Sequence, residues 1–515
     1  MLFGAALTLS LAPSDAWWFA PYCLAGLFVL LRGARARLRL ACGLCFGIGW
    51  FAAGMWWLLP ALLRYSSTGW PLALALCAAL LLYLGAFSAA AAWACGHRAL
   101  AAAPVWLRVP AGAGLWTLGE WARGTLFGGM PFLTSGYAHA PGPLAGYAPL
   151  AGVYGLAYLN ACCALVLAAC MPAQATLPMA PQRRARAALT AVLVLALLLG
   201  AGQALRATSW TQTDGRTLSV RLLQGNLPPR DGEPVQAVRA AMERYSTLAS
   251  DSRADLTVLP ETALPIEWHS MPAPMRDVWR RIARERGTSV LMGAALTVPP
   301  QPGRMGETSN SAMLLTPHEG LHAVQRYDKS ALVPFAEFVP PGAEWLAHRM
   351  RLDNGAMLPG VHSPAPLHLP QGRIGIVICF ESLFDIATAR KAAQADVLVS
   401  LSNFDWGAGS YAAAQLAQAG QLRALENGRW FVQVAQTGWT MLVDPHGRIA
   451  DRLPADATGV LDGRVALYTG MTPFARFGNA PLLTLCAASA LWLLWQIAVA
   501  MLSGASALAR RNISA

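Results

Sequence analysis

Eight apolar runs constrain this chain more than any other feature in it: residues 2–13, 16–31, 40–63, 70–95, 103–122, 143–171, 187–206 and 480–503. Several have the length of about 20 residues that a helix needs to cross the hydrocarbon core of a bilayer. The first is short, and the fifth is interrupted by Arg108 and Glu120. Residues 1–13 lack a basic leader and a second run follows almost at once, so a first transmembrane helix is expected there rather than a signal peptide. The loops carry a second pattern. Arg32, Arg35, Arg37 and Arg39 follow the second run, and His97, Arg98 and Arg108 the fourth; Arg183, Arg184 and Arg186 follow the sixth, and Arg510 and Arg511 the eighth. The alternate loops hold no basic residue after the first run, Arg64 after the third and Arg123 after the fifth. Cytoplasmic loops collect Lys and Arg, so this alternation predicts eight spans with both termini in the cytoplasm. Seven spans precede residue 210, which puts the stretch between the seventh and eighth outside the cytoplasm. The expected divisions are residues 1–210 for seven helices, 215–470 for a globular domain, 479–503 for the last span and 504–515 for a cytoplasmic tail.

The charge has to be read against that pattern. A net charge of +12 and a pI near 9.5 would suit a nucleic-acid partner, but the arginines cluster beside apolar segments and report topology instead. Hydrophobic residues make up 55% of the chain and charged ones 13%, against about 25% charged in an ordinary soluble domain. At the outer end of the fifth run, Glu120 and Arg123 stand three residues apart on one helical face. There they are expected to neutralise each other near lipid.

From about 215 to 470 the pattern changes to short β-branched runs alternating with helical stretches. Strands are predicted at 219–223, 256–260, 289–293, 311–315, 322–327, 374–379, 396–400, 430–435 and 439–443, with amphipathic helices at 234–250 and 273–287. Such alternation specifies a layered α/β domain.

Within it three residues stand out by type and position. The chain has ten cysteines, and Cys379 is the only one between Arg216 and Gly478. It ends the apolar run Gly375-Ile376-Val377-Ile378. Of the 39 basic residues only Lys329 and Lys391 are lysine. A lysine kept in so arginine-rich a chain marks a place where a wide, permanently charged guanidinium does not substitute. Lys329 lies just past one predicted strand, and Glu261 just past another. Functional side chains collect at the carboxyl ends of strands in layered α/β sheets. A thiol needs a base for its proton, and a cation can stabilise the oxyanion formed when it attacks a carbonyl. Taken singly, Cys379 reads equally as a small buried hydrophobe, Glu261 as a helix cap and Lys329 as a solvated charge; three coincidences together favour the site. No domain histidine holds a comparable strand-end position, and neither GxSxG nor HExxH occurs. No metal-ligand set and no nucleotide loop is evident, so no cofactor is expected.

Pro260-Glu261-Thr262, Tyr327-Asp328-Lys329 with Pro334-Phe335-Ala336-Glu337, and Ile378-Cys379-Phe380-Glu381 resemble the Glu-Lys-Cys signature of the nitrilase (carbon–nitrogen hydrolase) superfamily. Set before the last of eight spans, such a domain is similar to that of the bacterial apolipoprotein N-acyltransferase family, and the resemblance covers nearly the whole chain. Glu120-Trp121-Ala122-Arg123, Gly152-Val153-Tyr154-Gly155, Gln224-Gly225-Asn226, Leu425-Glu426-Asn427-Gly428-Arg429 and Thr472-Pro473-Phe474-Ala475-Arg476 extend it. The resemblance implies a four-layer α-β-β-α sandwich joined to a helical membrane domain. It implies Cys379 as nucleophile, Glu261 as general base and Lys329 as the cation beside the oxyanion. Glu337 and Glu381 would support them, with Phe380 next to the nucleophile. The implied reaction takes an acyl chain from a phospholipid, usually phosphatidylethanolamine, onto the cysteine as a thioester. It then passes the chain to the α-amino group of a diacylglyceryl-modified N-terminal cysteine of a lipoprotein, at the outer face of the bacterial inner membrane.

Several positions depart from the family pattern. Phe380 replaces a tyrosine, Ser402-Asn403-Phe404-Asp405-Trp406-Gly407 is shifted by one residue, and Tyr411-Ala412-Ala413-Ala414-Gln415 stands where a polar segment is usual. Gln436-Thr437-Gly438-Trp439 replaces Asn-x-Gly, and Leu227-Pro228-Pro229-Arg230 lacks a tryptophan found there in the family. These stretches make Trp406, Trp439 and Tyr411 candidates for the substrate pocket. They leave a paralogue with an altered acyl acceptor as one alternative; a membrane-anchored nitrilase-type amidase with the same three residues, and a non-catalytic membrane scaffold that retains the fold, are the others.

Overall fold

The structure, a computed structural model, describes residues 1–66, 68–171, 181–227, 234–297, 308–317, 324–350, 357–361, 364–407 and 409–513. Pro228 to Arg230, the first two residues of the strand expected at 322–327, and the last two of the expected tail lie outside the described residues. The chain divides into two units, one of residues Met1–Trp56, Leu76–Arg206 and Asn479–Ala515, the other of Trp57–Ala75 and Ala207–Gly478.

The first unit is helical. Among the described residues of the chain, five helices are long and apolar enough to cross a membrane: Ala36–Gly54, Trp70–Cys95, Pro143–Cys170, Ala185–Arg206 and Ala480–Ser503. The run at 2–13 is instead a six-residue helix, Leu2–Leu7, with a 3-10 turn Thr8–Ser10, because Pro13 and Asp15 follow at once. The run at 16–31 gives Ala20–Leu31 after a 3-10 turn. The run at 40–63 breaks at Gly54, and a separate helix, Leu58–Tyr65, follows. The fifth run forms Val105–Thr125 around Pro110, and the last continues as Ala480–Ile513 through residues expected as a tail. Close packing in this unit uses small residues, as is usual where lipid supplies no hydrophobic drive between helices. A Cβ on Gly47 would stand 2.7 Å from the Gly85 Cα. Glu120 and Arg123 are buried, and both grip the following loop. Glu120 accepts from Trp116 Nε1 (2.8 Å), the Ser135 N–H (2.8 Å) and Ser135 Oγ (2.7 Å). Arg123 donates to the carbonyls of Met130 and Phe132, the latter at 2.8 Å, beneath the Phe51 ring. The two side chains thereby satisfy backbone groups of the irregular segment that follows their helix.

The second unit is built on two six-stranded sheets. The strands are β1 (Gln212–Gln224), β2 (Leu256–Val258), β3 (Ser289–Thr297), β4 (Thr308–Leu315), β5 (Gln325–Asp328) and β6 (Leu367–His368), then β7 (Arg373–Ile378), β8 (Val397–Ser402), β9 (Phe431–Ala435), β10 (Met441–Val443), β11 (Ile449–Arg452) and β12 (Gly459–Thr469). One sheet runs β12-β1-β2-β3-β4-β5 and the other β11-β10-β9-β8-β7-β6. β1, β2 and β3 are parallel, as are β7, β8 and β9, and the remaining pairings are antiparallel. β1 faces β9 and β4 faces β7; the helices Pro234–Ala249 and Ala273–Arg286 cover the first sheet, and Asp385–Ala392 and Ala412–Asn427 the second. The layers are therefore α-β-β-α.

Strands buried on both faces read as near-continuous apolar runs, as β7 does from Ile374 to Ile378. Under the first sheet's helices, Leu223, Tyr245, Leu259, Trp279, Val290 and Met292 form a fully buried cluster. Each side chain of this size contributes about 1.5–3 kcal/mol by burial. β6, β11 and β12 were not expected. The first is two residues long, and the other two are edge strands whose Asp, Arg and Gly residues break the apolar signal.

Candidate active site

The carboxyl ends of β2, β5, β7 and β8 deliver Glu261, Lys329, Cys379 and Asn403. Cys379 follows Ile378 directly, where the strand turns into the 3-10 segment Cys379–Leu383. Its φ is +49°, the left-handed region, which costs a non-glycine residue roughly 1–3 kcal/mol and persists only when its surroundings impose it. Thr262, next to Glu261, has the same φ of +49°. Asn403 Nδ2 donates to Thr262 Oγ1 at 3.1 Å, tying the end of β8 to the end of β2.

Lys329 is 1% exposed and its ammonium lies between two carboxylates. Nζ is 3.1 Å from Glu261 Oε1 and 2.9 Å from Glu337 Oε1. Asn310, on β4, donates Nδ2 to the same two oxygens, each at 2.7 Å. Glu337 is anchored from behind by the Val333 N–H at 2.8 Å on its other oxygen. Glycine at 293 is required by the approach of this loop, since a Cβ there would lie 2.5 Å from the Glu261 Cα.

Burial sets the electrostatics. It pushes the Cys379 thiol well above its usual range, with the Glu261 charge adding to the rise and Lys329 opposing it. The Asn403 backbone N–H, bonded to the sulfur, also opposes the rise. Burial raises the Glu261 carboxyl as well, against the pull of Lys329. For Lys329 burial acts downward, but Glu261 and Glu337 outweigh it and hold the ammonium charged. The arrangement is a protonated thiol beside a carboxylate of raised basicity and a permanent cation. A thiol in that setting gives up its proton as it attacks, and the cation is already in place for the negative charge that appears on a carbonyl oxygen.

Glu381 is buried and accepts an unusually full set of donors. Oε1 takes Tyr327 Oη (2.6 Å), the Ser330 N–H (2.7 Å) and Ser330 Oγ (2.7 Å). Oε2 takes the Ile378 N–H (2.9 Å) and the Lys391 ammonium (2.9 Å). Burial alone would raise this carboxyl, but Lys391 and the Tyr327 hydroxyl bring it down to about 2.

The structure thus brings together Glu261, Lys329, Cys379, Glu337 and Glu381. Phe380 is buried beside them with its ring edge-on to Phe384 at 5.2 Å. Trp406 donates Nε1 to the Asn403 carbonyl at 3.0 Å and packs against Trp57 at 4.8 Å between centroids. Trp439 lies elsewhere, under Arg452 at 4.3 Å and against the cluster of Val377, Leu398 and Phe431. Tyr411 is half-exposed at the start of the helix Ala412–Asn427. Sequence reasoning missed Asn310, Tyr327, Asn403 and Trp57 as site neighbours. It singled out Lys391 by rarity without giving it a place. Among the described residues no group of three His, Cys, Asp or Glu side chains could hold a metal ion.

Comparison with known proteins covers both parts of the chain. Residues 3–166 match the family model for the apolipoprotein N-acyltransferase N-terminal domain, and residues 220–470 that for carbon-nitrogen hydrolase. The apolipoprotein N-acyltransferase of Ralstonia nicotianae is 37% identical over 94% of this chain and 90% of its own length. That of Bordetella bronchiseptica is 35% identical over 94% and 93%. Among solved structures, a CN-hydrolase superfamily protein from Xanthomonas campestris is 17% identical and covers 48% of this chain and 90% of its own, with a TM-score of 0.37.

Proposed function

The chain belongs to the apolipoprotein N-acyltransferase family, and from that premise we propose that Cys379, Glu261 and Lys329 carry its acyl transfer. The enzyme is a membrane protein that moves an acyl chain from a phospholipid, through a cysteine thioester, to the α-amino group at the N-terminus of a diacylated apolipoprotein. The single observation that carries the assignment of residues is the Lys329 ammonium held between Glu261 and Glu337, at the same sheet ends as Cys379.

In the first half-reaction Glu261 takes the thiol proton as the sulfur attacks the ester carbonyl of the donor. The carbonyl oxygen becomes an oxyanion, which Lys329 stabilises. Collapse breaks the ester C–O bond, the lysophospholipid alkoxide leaves with the proton from Glu261, and the thioester remains. In the second half the neutral amine of the acceptor attacks the thioester and Glu261 removes its surplus proton. The C–S bond breaks and the sulfur recovers that proton, leaving an amide. Because burial keeps the resting thiol protonated, the base acts during attack rather than before it.

Our reading of the donor is phosphatidylethanolamine. Our reading of the topology is a multi-pass membrane domain with residues 215–470 periplasmic, supported by the arginine distribution of the loops. Trp406 and Trp57 are our candidates for the wall of the acyl pocket. Incubating the purified protein with phosphatidylethanolamine alone should give a hydroxylamine-sensitive acyl adduct at Cys379. A diacylated lipopeptide should then discharge it with formation of an amide. Folded protein that forms no adduct would remove the proposal, and discharge by water without need of the amine would favour an amidase.

A further inference from the structure

Below the nucleophile turn lies a second buried cation that the transfer chemistry does not use. Lys391, on the helix Asp385–Ala392, is 4% exposed. Its Nζ donates to Glu381 Oε2 at 2.9 Å and to Tyr327 Oη at 2.6 Å, and lies 4.6 Å from the centre of the Tyr327 ring. Glu381 in turn holds two backbone positions that matter. The Ile378 N–H, at 2.9 Å, belongs to the residue before Cys379. The Ser330 N–H, at 2.7 Å, belongs to the residue after Lys329. One carboxylate therefore fastens the strand end that carries the nucleophile to the strand end that carries the oxyanion cation.

We propose that Lys391 is a positioning residue for acyl transfer, which keeps Glu381 ionised and so holds Cys379 and Lys329 in mutual register. The inference rests on the roles given to those two residues above. Its physical basis is that only the ionised carboxylate is acceptor-only. A protonated Glu381 would present an O–H where the ionised carboxylate accepts the Ile378 and Ser330 N–H groups and the Lys391 ammonium, which weakens its hold on those two backbone positions. The other charged groups on the surrounding elements are engaged elsewhere. Arg423 and Glu426 of the helix Ala412–Asn427 pair at 2.7 Å, Arg373 on β7 pairs with Asp396 at 2.9 Å, and Lys329 faces Glu261 and Glu337. Asp385 accepts the Ile386 N–H at 2.8 Å, and Arg390 is exposed. Lys391 is therefore the cation that faces Glu381 directly. An ammonium also suits the place better than a guanidinium, being a compact donor that meets the Tyr327 hydroxyl and the Glu381 oxygen from above one ring.

The test measures the rate of acyl-adduct formation at Cys379 in the full-length protein with phosphatidylethanolamine, from mildly acidic to neutral pH, because burial lowers the Lys391 ammonium and alkaline pH would discharge it in the wild type as well. In the wild type Glu381 is ionised throughout. In Lys391→Met its carboxyl rises into the assay range, so the variant is slow at low pH and its deficit closes by about tenfold per pH unit as Glu381 ionises. Glu381→Gln should show a deficit that does not change with pH, and adding Lys391→Met to it should create no new pH dependence. If Lys391→Met does not fold, Lys391→Gln, which keeps a polar donor without the charge, reads the same relation. A deficit flat with pH, or none, overturns the positioning role while leaving Cys379 as nucleophile. Absence of the wild-type adduct, or its persistence in Cys379→Ser as a hydroxylamine-sensitive thioester, overturns the reading beneath it.

Discussion

Lys329→Met separates what this lysine does for the fold from what it does for the reaction. The ammonium is 1% exposed and touches Glu261 Oε1 and Glu337 Oε1 at 3.1 and 2.9 Å. Methionine has nearly the same length and no charge. Its introduction leaves two buried carboxylates facing one another, with the Asn310 amide as their remaining common donor. Stranding a charge by removing its buried partner costs roughly 3–5 kcal/mol. Uptake of one proton by the pair limits the cost, because two carboxylates at this distance cannot both stay ionised. For a domain of this size that corresponds to a fall of roughly 10 °C in unfolding temperature. Loss of the oxyanion cation should independently slow acylation by about 100- to 1000-fold. The double variant Lys329→Met, Glu337→Gln removes one of the two stranded charges. It should recover much of the lost thermal stability, read by scanning fluorimetry, and none of the lost acylation rate, read by single-turnover labelling of Cys379. Recovery of acylation along with stability would refute the catalytic role. A wild-type rate in the single variant would do the same.

Burial keeps the Cys379 thiol protonated, so its alkylation by iodoacetamide, followed by peptide mass spectrometry, should keep accelerating above the ordinary thiol value of 9.0; a plateau near neutrality would mean a preformed thiolate. Cys379 sits at a φ of +49°, so Cys379→Gly should be inactive yet unfold at a temperature at least as high as Cys379→Ala, because glycine alone carries no Cβ penalty there. Trp406→Ala and Trp57→Ala each remove one face of a ring contact at 4.8 Å. We expect both to raise KM for the phospholipid by about tenfold, the worth of ~1.4 kcal/mol, with kcat changed less; a loss confined to kcat would take these rings out of the donor pocket.

How far the sequence reaches depends on where each interaction lies along the chain. The strands that carry Cys379 and Asn403 were readable because burial makes them runs rich in Ile, Val and Leu, as in Arg373–Ile378 and Val397–Ser402. β12 was not, because an edge strand with the sequence Gly-Val-Leu-Asp-Gly-Arg-Val has no such signature, and its partner β1 lies more than two hundred residues away. The break at Gly54 was also invisible. Apolar character continues through Met55-Trp56-Trp57-Leu58-Leu59, and hydropathy does not distinguish a helix that ends from one that goes on. Trp57 belongs to the second unit, where it meets Trp406. That destination is set by tertiary packing and left no local trace.

The two lysines show the limit most clearly. Their rarity among arginines flagged both, yet position advanced only Lys329, because it follows a strand and Lys391 lies inside a helix. In the structure the two cations occupy parallel situations. Each is buried and each neutralises glutamate, Lys329 with Glu261 and Glu337, Lys391 with Glu381. Tyr327 lies on β5, two residues before Lys329, and its hydroxyl accepts from Lys391, so the end of β5 reaches both clusters. Recognising this from sequence would have required knowing that Lys391, 64 residues on, packs beneath that strand. Substitution by arginine is the discriminating comparison, since a guanidinium keeps charge and loses compactness. If both lysines are there for shape as well as charge, Lys329→Arg and Lys391→Arg should each impair acylation. If charge alone sufficed, a chain that uses arginine at all its other basic positions would have no reason to use lysine at these two.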